Sequence, residues 1–175
     1  MTSLVAVIGS GSANATLATL AHQVGTEIAR RGHGLVCGGR GGVMEAACHG
    51  AYDIYGPTSG RIIAILPGTD PTAANPYADI VLPTGLGQAR NLLIVLSASA
   101  IVTVGGESGT LSEMALAWKH SRPLAALRTS GGWAERIAAY APATPPIALF
   151  NSATDVGEWL DSTLNPLHRS SSAGS

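Results

Sequence analysis

Short runs of β-branched and other apolar residues alternate along the chain with longer stretches whose apolar positions recur at helical spacing. The runs are Leu4–Ile8, Leu35–Cys37, Arg61–Leu66, Asp79–Leu82, Ala100–Val104, Leu124–Leu127 and Ile147–Phe150. Between the first two, Leu17, Leu20, Ala21, Val24 and Ile28 form one stripe, closed by Arg30-Arg31-Gly32 in the order of a helix C-terminus. Further helices are predicted from about Val43 to Tyr55, from about Gly87 to Ser97 and from Thr110 to Lys119. In the last of these, Leu111, Met114, Ala115 and Trp118 share an apolar face that serves the core or a subunit contact, and Pro123 ends the helix. A short helix through Trp133 and Ile137 follows Gly131-Gly132, and a final one runs from Asp155 to Leu164, packed by Val156, Trp159 and Leu160. This alternation predicts an α/β fold, doubly wound, with a mainly parallel sheet of about seven strands and helices on both faces. Residues 1–165 read as one domain and 166–175 as a disordered tail.

In an open parallel sheet, ligands sit outside the carboxyl ends of the strands. The loops there are Gly9-Ser10-Gly11-Ser12, Gly38-Gly39-Arg40-Gly41-Gly42 and Gly105-Gly106-Glu107-Ser108-Gly109-Thr110, and each runs into a helix. Glycine lets the backbone approach a ligand, and the helix N-terminus behind it offers free N–H groups and partial positive charge to a phosphate. The dinucleotide fingerprint fails because its third glycine position is Asn14 and no acidic residue ends the second strand. The Walker pattern fails because Gly105 to Thr110 holds no lysine. A monophosphate-sized anion on a nucleotide or nucleotide-like molecule remains.

Composition narrows the partners. The 175 residues carry a formal net charge of -1 with only 12% charged residues, and Lys119 is the sole lysine, so no basic field invites nucleic acid. The most apolar stretch, Leu92 to Val104, contains Ser97, Ser99 and Thr103 and is shorter than the ~20 residues that span a bilayer. Two cysteines, Cys37 and Cys48, make no disulfide framework, and Met1-Thr2-Ser3 lacks a positive leader segment, so a cytoplasmic location is expected. His22, His33, His49, His120 and His168 are scattered and the cysteines lie on different elements, so no metal site is expected.

Taken together, these residues resemble a Rossmann-like group. It includes the "lonely guy" cytokinin riboside monophosphate phosphoribohydrolases, the molybdenum-cofactor carrier proteins and, more distantly, DNA-processing protein A. The hydrolases carry Pro-Gly-Gly-x-Gly-Thr-x-x-Glu, which is similar to Gly105-Gly106-Glu107-Ser108-Gly109-Thr110-Leu111-Ser112-Glu113, and an arginine upstream that Arg90 matches. Gly9-Ser10 and Gly38-Gly39 resemble the other two phosphate-edge loops of the group. Departures point elsewhere within it. Met-His-x-Arg-Lys of the hydrolases is here Gly87-Gln88-Ala89-Arg90-Asn91, and Gly42-Val43-Met44-Glu45-Ala46, Asn75-Pro76-Tyr77 and Thr84-Gly85 look more like the carrier branch.

The reading taken first is a hydrolase that splits a nucleoside 5′-monophosphate into base and ribose 5-phosphate, with Arg90 clamping the sugar and Glu113 stabilising the oxocarbenium-like transition state. The alternative is a non-catalytic carrier or sensor that holds a phosphorylated nucleotide-like cofactor, such as molybdenum cofactor, in the same loops. No cofactor is required by the first reading; a nucleotide monophosphate or a molybdopterin-type cofactor is the candidate ligand. In both, Gly9, Ser10, Gly38, Gly39, Gly105, Gly106, Ser108, Gly109 and Thr110 form the phosphate edge. Arg40 is either a turn residue or an anion contact, and Glu45 serves the dipole of the second helix or, as the resemblance implies, lies near the site. Glu107 sits awkwardly in a phosphate loop unless it faces solvent, an arginine or a ligand hydroxyl. Glu113 has a competing role: Thr110-Leu111-Ser112-Glu113 fits a capping box, in which the glutamate bonds the cap residue's own N–H. The group's dimers and the low surface charge imply a homodimer or larger assembly.

Overall fold

A computed structural model describes residues 2–140 and 147–165; the predicted tail at 166–175 lies outside the described residues. Seven strands, β1 (Leu4–Gly9), β2 (Gly34–Cys37), β3 (Ile62–Leu66), β4 (Ile80–Pro83), β5 (Ala100–Val104), β6 (Leu124–Leu127) and β7 (Ala148–Phe150), form one sheet in the order β4-β3-β2-β1-β5-β6-β7. Every neighbouring pair is parallel. The chain therefore winds outward from β1 to β4, returns to the middle at β5 and winds outward the other way. That reversal opens a crevice at the carboxyl ends of β1 and β5.

Side chains alternate along β1 as a doubly covered sheet requires. Val5 and Val7 face a core built with Val24 and Ile28 of α1 (Ala15–Arg30), Ala47 of α2 (Val43–Tyr55) and Val156 and Leu160 of α6 (Ala153–Leu164). Ala6 and Ile8 face a second core with Ile94 of α3 (Asn91–Ser97), Met114 of α4 (Ser108–Lys119) and Ala134 of α5 (Gly132–Arg136). The side chain of Asn14 caps α1 by accepting the Leu17 N–H at 2.9 Å, and Gly32 just past its end takes φ +74. No helix of the described residues is long and apolar enough to cross a membrane.

Two predicted elements differ. The helix expected from Gly87 is a 3-10 turn over Gly87–Arg90 followed by α3, because Gly87 takes φ +55, outside helical space. Helix α4 starts at Ser108 instead of Thr110, with Glu107 in extended conformation before it and no side-chain cap. Its buried face is Thr110, Glu113, Met114 and Ala117, one position round from the predicted stripe: Ala115 is exposed and Leu111 and Trp118 are half-buried. A polar side chain, Glu113, is what turns the helix inward, and its partner explains why.

Candidate functional site

The loops after β1 and β5 and the first turns of α2 and α4 enclose a cleft of about 250 Å³ at the crevice. Gly9, Ser10, Arg90, Glu107, Ser108, Gly109, Thr110 and Glu113 line it, together with Gly11, Met44, Gln88 and Asn91, which sequence reasoning had not assigned to a site. A larger groove of about 510 Å³, walled by Gln23, Thr26, Glu27 and Arg30 of α1 and by the start of α6, gathers none of the buried charges.

Ser10 organises the cleft. Its hydroxyl accepts the Gly106 N–H at 3.0 Å, and its carbonyl accepts the N–H of Val43, the first residue of α2, at 3.0 Å. The Gly105 N–H is likewise taken, by the Ser130 hydroxyl at 2.7 Å. Gly105 and Gly106, expected from the sequence to donate to a phosphate, therefore spend their N–H groups on the framework. The donors left are those of Ser108, Gly109 and Thr110, because the first intrahelical bond of α4 is Leu111 N–H to Glu107 carbonyl at 3.0 Å. The first turn of a helix is where N–H groups and the helix dipole together favour an anion.

Arg90 and Glu113 form the buried charge pair of this cleft. Arg90 Nη1 lies 3.1 Å from Glu113 Oε1 and donates to Asn91 Oδ1 at 2.8 Å, while each of the two charged residues is only 7% exposed. The Nε of Arg90 is buried with no partner among the described residues. The guanidinium lies against Gly38, where a Cβ would fall 2.5 Å from Nη2, so the first glycine of the second loop makes room for the arginine. This pair also decides between the roles foreseen for Glu113. With Glu107 at the cap position, Thr110 is inside the helix and the predicted capping box does not form; the glutamate reaches across to α3's leading turn instead.

Burial raises the Glu113 pKa from 4.5 to about 7, with Arg90 opposing the rise. A carboxyl that binds its proton more tightly when folded contributes stability that is fully present below about 4.5 and is lost as pH rises through about 7. Stability is accordingly expected to fall by up to about 3 kcal/mol over that window from this group alone. Glu113→Gln should flatten that part of the profile, as measured by urea denaturation at a series of pH values.

The remaining sequence candidates lie to one side. Gly39 is buried, its carbonyl accepting the Asn75 N–H at 2.8 Å, and the Asn75 side chain donates to the Arg40 carbonyl at 3.4 Å. The Asn75-Pro76-Tyr77 segment therefore clamps the second loop, and Arg40 itself is exposed. Glu45 lines a separate cleft of about 280 Å³ with Gly42, His49 and Tyr77.

A parallel sheet whose glycine-rich edges and buried Arg–Glu pair meet where the winding reverses defines a Rossmann-like α/β protein with a polar crevice at that reversal. The chain belongs to the SLOG cluster4 family, whose model matches residues 2–154. A molybdenum cofactor binding protein from the phototrophic bacterium Rippkaea orientalis is similar in structure, with a TM-score of 0.83 and 32% identity over 94% of this chain and 99% of that one. The molybdenum cofactor carrier protein of Chlamydomonas reinhardtii superposes with a TM-score of 0.80 and 29% identity, covering 94% of this chain and 99% of its own. An uncharacterized protein of Archaeoglobus fulgidus is 42% identical over 124 residues, which is 71% of this chain and 79% of that protein. The resemblance carried by the Gly105 to Glu113 motif is borne out at the level of fold and family.

Proposed function

We propose that the chain is a carrier or sensor that holds a phosphorylated, pterin-type cofactor of the molybdenum-cofactor class in the β1–β5 crevice without cleaving it. The observation that carries this reading is the likeness to the two molybdenum-cofactor proteins over 94% of the chain. The donor set supports it: the phosphate end of such a ligand fits the free N–H groups of Ser108, Gly109 and Thr110, and the partnerless Arg90 Nε lies in the same wall. Glu107 at the mouth is exposed and meets ligand hydroxyls or solvent. The homodimer or larger assembly that the resemblance implies belongs to the same proposal, and light scattering on the purified protein tests it.

A second reading, the phosphoribohydrolase placed first by sequence, is favoured by one feature, the Arg90–Glu113 pair on the cleft wall. The same feature weakens it. To stabilise positive charge at an anomeric carbon, Glu113 must be ionised and turned to the sugar, yet it is paired with Arg90 and held near a pKa of about 7. Incubation with AMP, CMP, GMP, UMP and IMP is expected to return the nucleotides intact, while cofactor freed from a molybdoenzyme is retained through gel filtration, read as molybdenum and phosphate content. Release of free base that disappears in Glu113→Gln would overturn the carrier reading in favour of the hydrolase.

A further inference from the structure

His22 of α1 meets His49 and Asp53 of α2 on the outer face of the two helices, away from the crevice. His22 Nε2 lies 2.9 Å from Asp53 Oδ2, His49 Nε2 lies 3.6 Å from Asp53 Oδ1, and all three ligand atoms fall within 4.8 Å of one another. We propose that His22, His49 and Asp53 bind a zinc ion between the two helices, with its remaining coordination position open to solvent.

The backbone explains why the cluster forms. The carbonyl of His22 sits so close to Gly50 that a Cβ there would fall 1.9 Å from it. The helices therefore touch at the turn of α2 that carries His49, and Asp53 follows four positions later on the same face. His22 is delivered to that face from α1. The imidazole of His49 is held in place by stacking on Tyr77, with ring centroids 4.3 Å apart and planes 8° from parallel, and the His22 ring meets it edge-on at 5.1 Å. Two imidazole nitrogens and one carboxylate, with a position left over, is a ligand set that suits zinc.

The geometry needs little change to hold the ion. Bonds of about 2.0–2.1 Å in a tetrahedron put ligand atoms roughly 3.3 Å apart, so the closest pair opens slightly and the widest contracts. With His49 held by its stack on Tyr77, the adjustment falls to His22 and Asp53, whose side chains are 34% and 48% exposed. An ion pair between such exposed groups contributes little by itself, which leaves the convergence of both imidazoles on one carboxylate without a stabilising purpose. Metal coordination supplies one. Each imidazole then presents the lone pair of Nε2 to zinc and keeps its proton on Nδ1.

Equilibrium dialysis of the full chain against zinc, with chelator competition, is expected to find one ion held per chain. His22→Gln and His49→Gln are each expected to weaken it at least about tenfold, since even outer-shell partners of a metal ligand are worth that much. Bound Cu²⁺ should show splitting from two nitrogens by electron paramagnetic resonance, falling to one in either variant. Both positions are partly exposed, so the variants fold, and circular dichroism checks it. Zinc affinity unchanged in the histidine variants, zinc lost instead in Cys37→Ser, or no binding above that of the His22→Gln/His49→Gln double variant would each overturn the proposal. Retention of cofactor in the crevice is a separate readout, so this site and the carrier reading fail independently.

Discussion

Arg90→Met is expected to destabilise the protein by about 3–5 kcal/mol near pH 8 and to abolish retention of a phosphorylated ligand. The size follows from burial. Glu113 would stay 7% exposed with its counter-charge gone, and an uncompensated charge inside a protein costs more than the pair it came from. The glutamate has one escape, which is to bind a proton. It already titrates near 7 with Arg90 beside it, so without Arg90 its pKa must climb further. The loss of stability in the variant should therefore shrink as pH falls to about 5.5, where protonation is cheap. Urea denaturation of wild type and variant at both pH values measures this, and a loss equal at the two would assign the effect to packing instead of charge. Arg90→Met/Glu113→Met should recover much of the stability, because it removes both charges and leaves apolar volume in their place. It should not recover ligand retention, which needs the guanidinium.

That pair also marks where the sequence stops being legible. The strands and the periodic helices are written in local patterns: Val24 and Ile28 on the α1 stripe face the core that the spacing predicts, and Gly32 ends the helix as its position suggests. The glycine loops likewise locate the crevice, because parallel strands put their connections at one edge. What each loop residue does there depends on its neighbours in space. Gly105 and Gly106 have the composition of a phosphate loop, but their N–H groups are claimed by Ser130 and Ser10, residues of other loops that no local pattern ties to them. Glu113 reads as a helix cap from Thr110 and becomes the partner of Arg90 only because α3 and α4 lie side by side on one face of the sheet. His22 joins His49 and Asp53 through the contact between α1 and α2; within the sequence, only the spacing of His49 and Asp53 at four residues hinted at a shared face.

That contact carries the other large effect. Gly25→Ala is expected to destabilise the protein by about 3 kcal/mol, against the sign that helix propensity alone gives. In an exposed helix interior, alanine in place of glycine stabilises by about 1 kcal/mol. Here a Cβ on Gly25 would lie 1.9 Å from the carbonyl oxygen of Ala47, and a Cβ on Gly50 would lie equally close to that of His22. Both obstacles are backbone, so no rotamer change relieves them and the two helices must move apart. Separation loosens the packing of Ala21, Val24, Ala47 and Ala51, all fully buried, and such overpacking costs about 1–3 kcal/mol or more. It also shifts the start of α2, whose Val43 N–H is bonded to Ser10 in the crevice wall, so ligand retention should weaken along with stability. Denaturation of Gly25→Ala beside Gly11→Ala separates the causes: Gly11 has open space around its Cβ position and should change stability little. A stabilised Gly25→Ala would mean that α1 and α2 do not approach this closely, and the convergence of His22, His49 and Asp53 would fail with it.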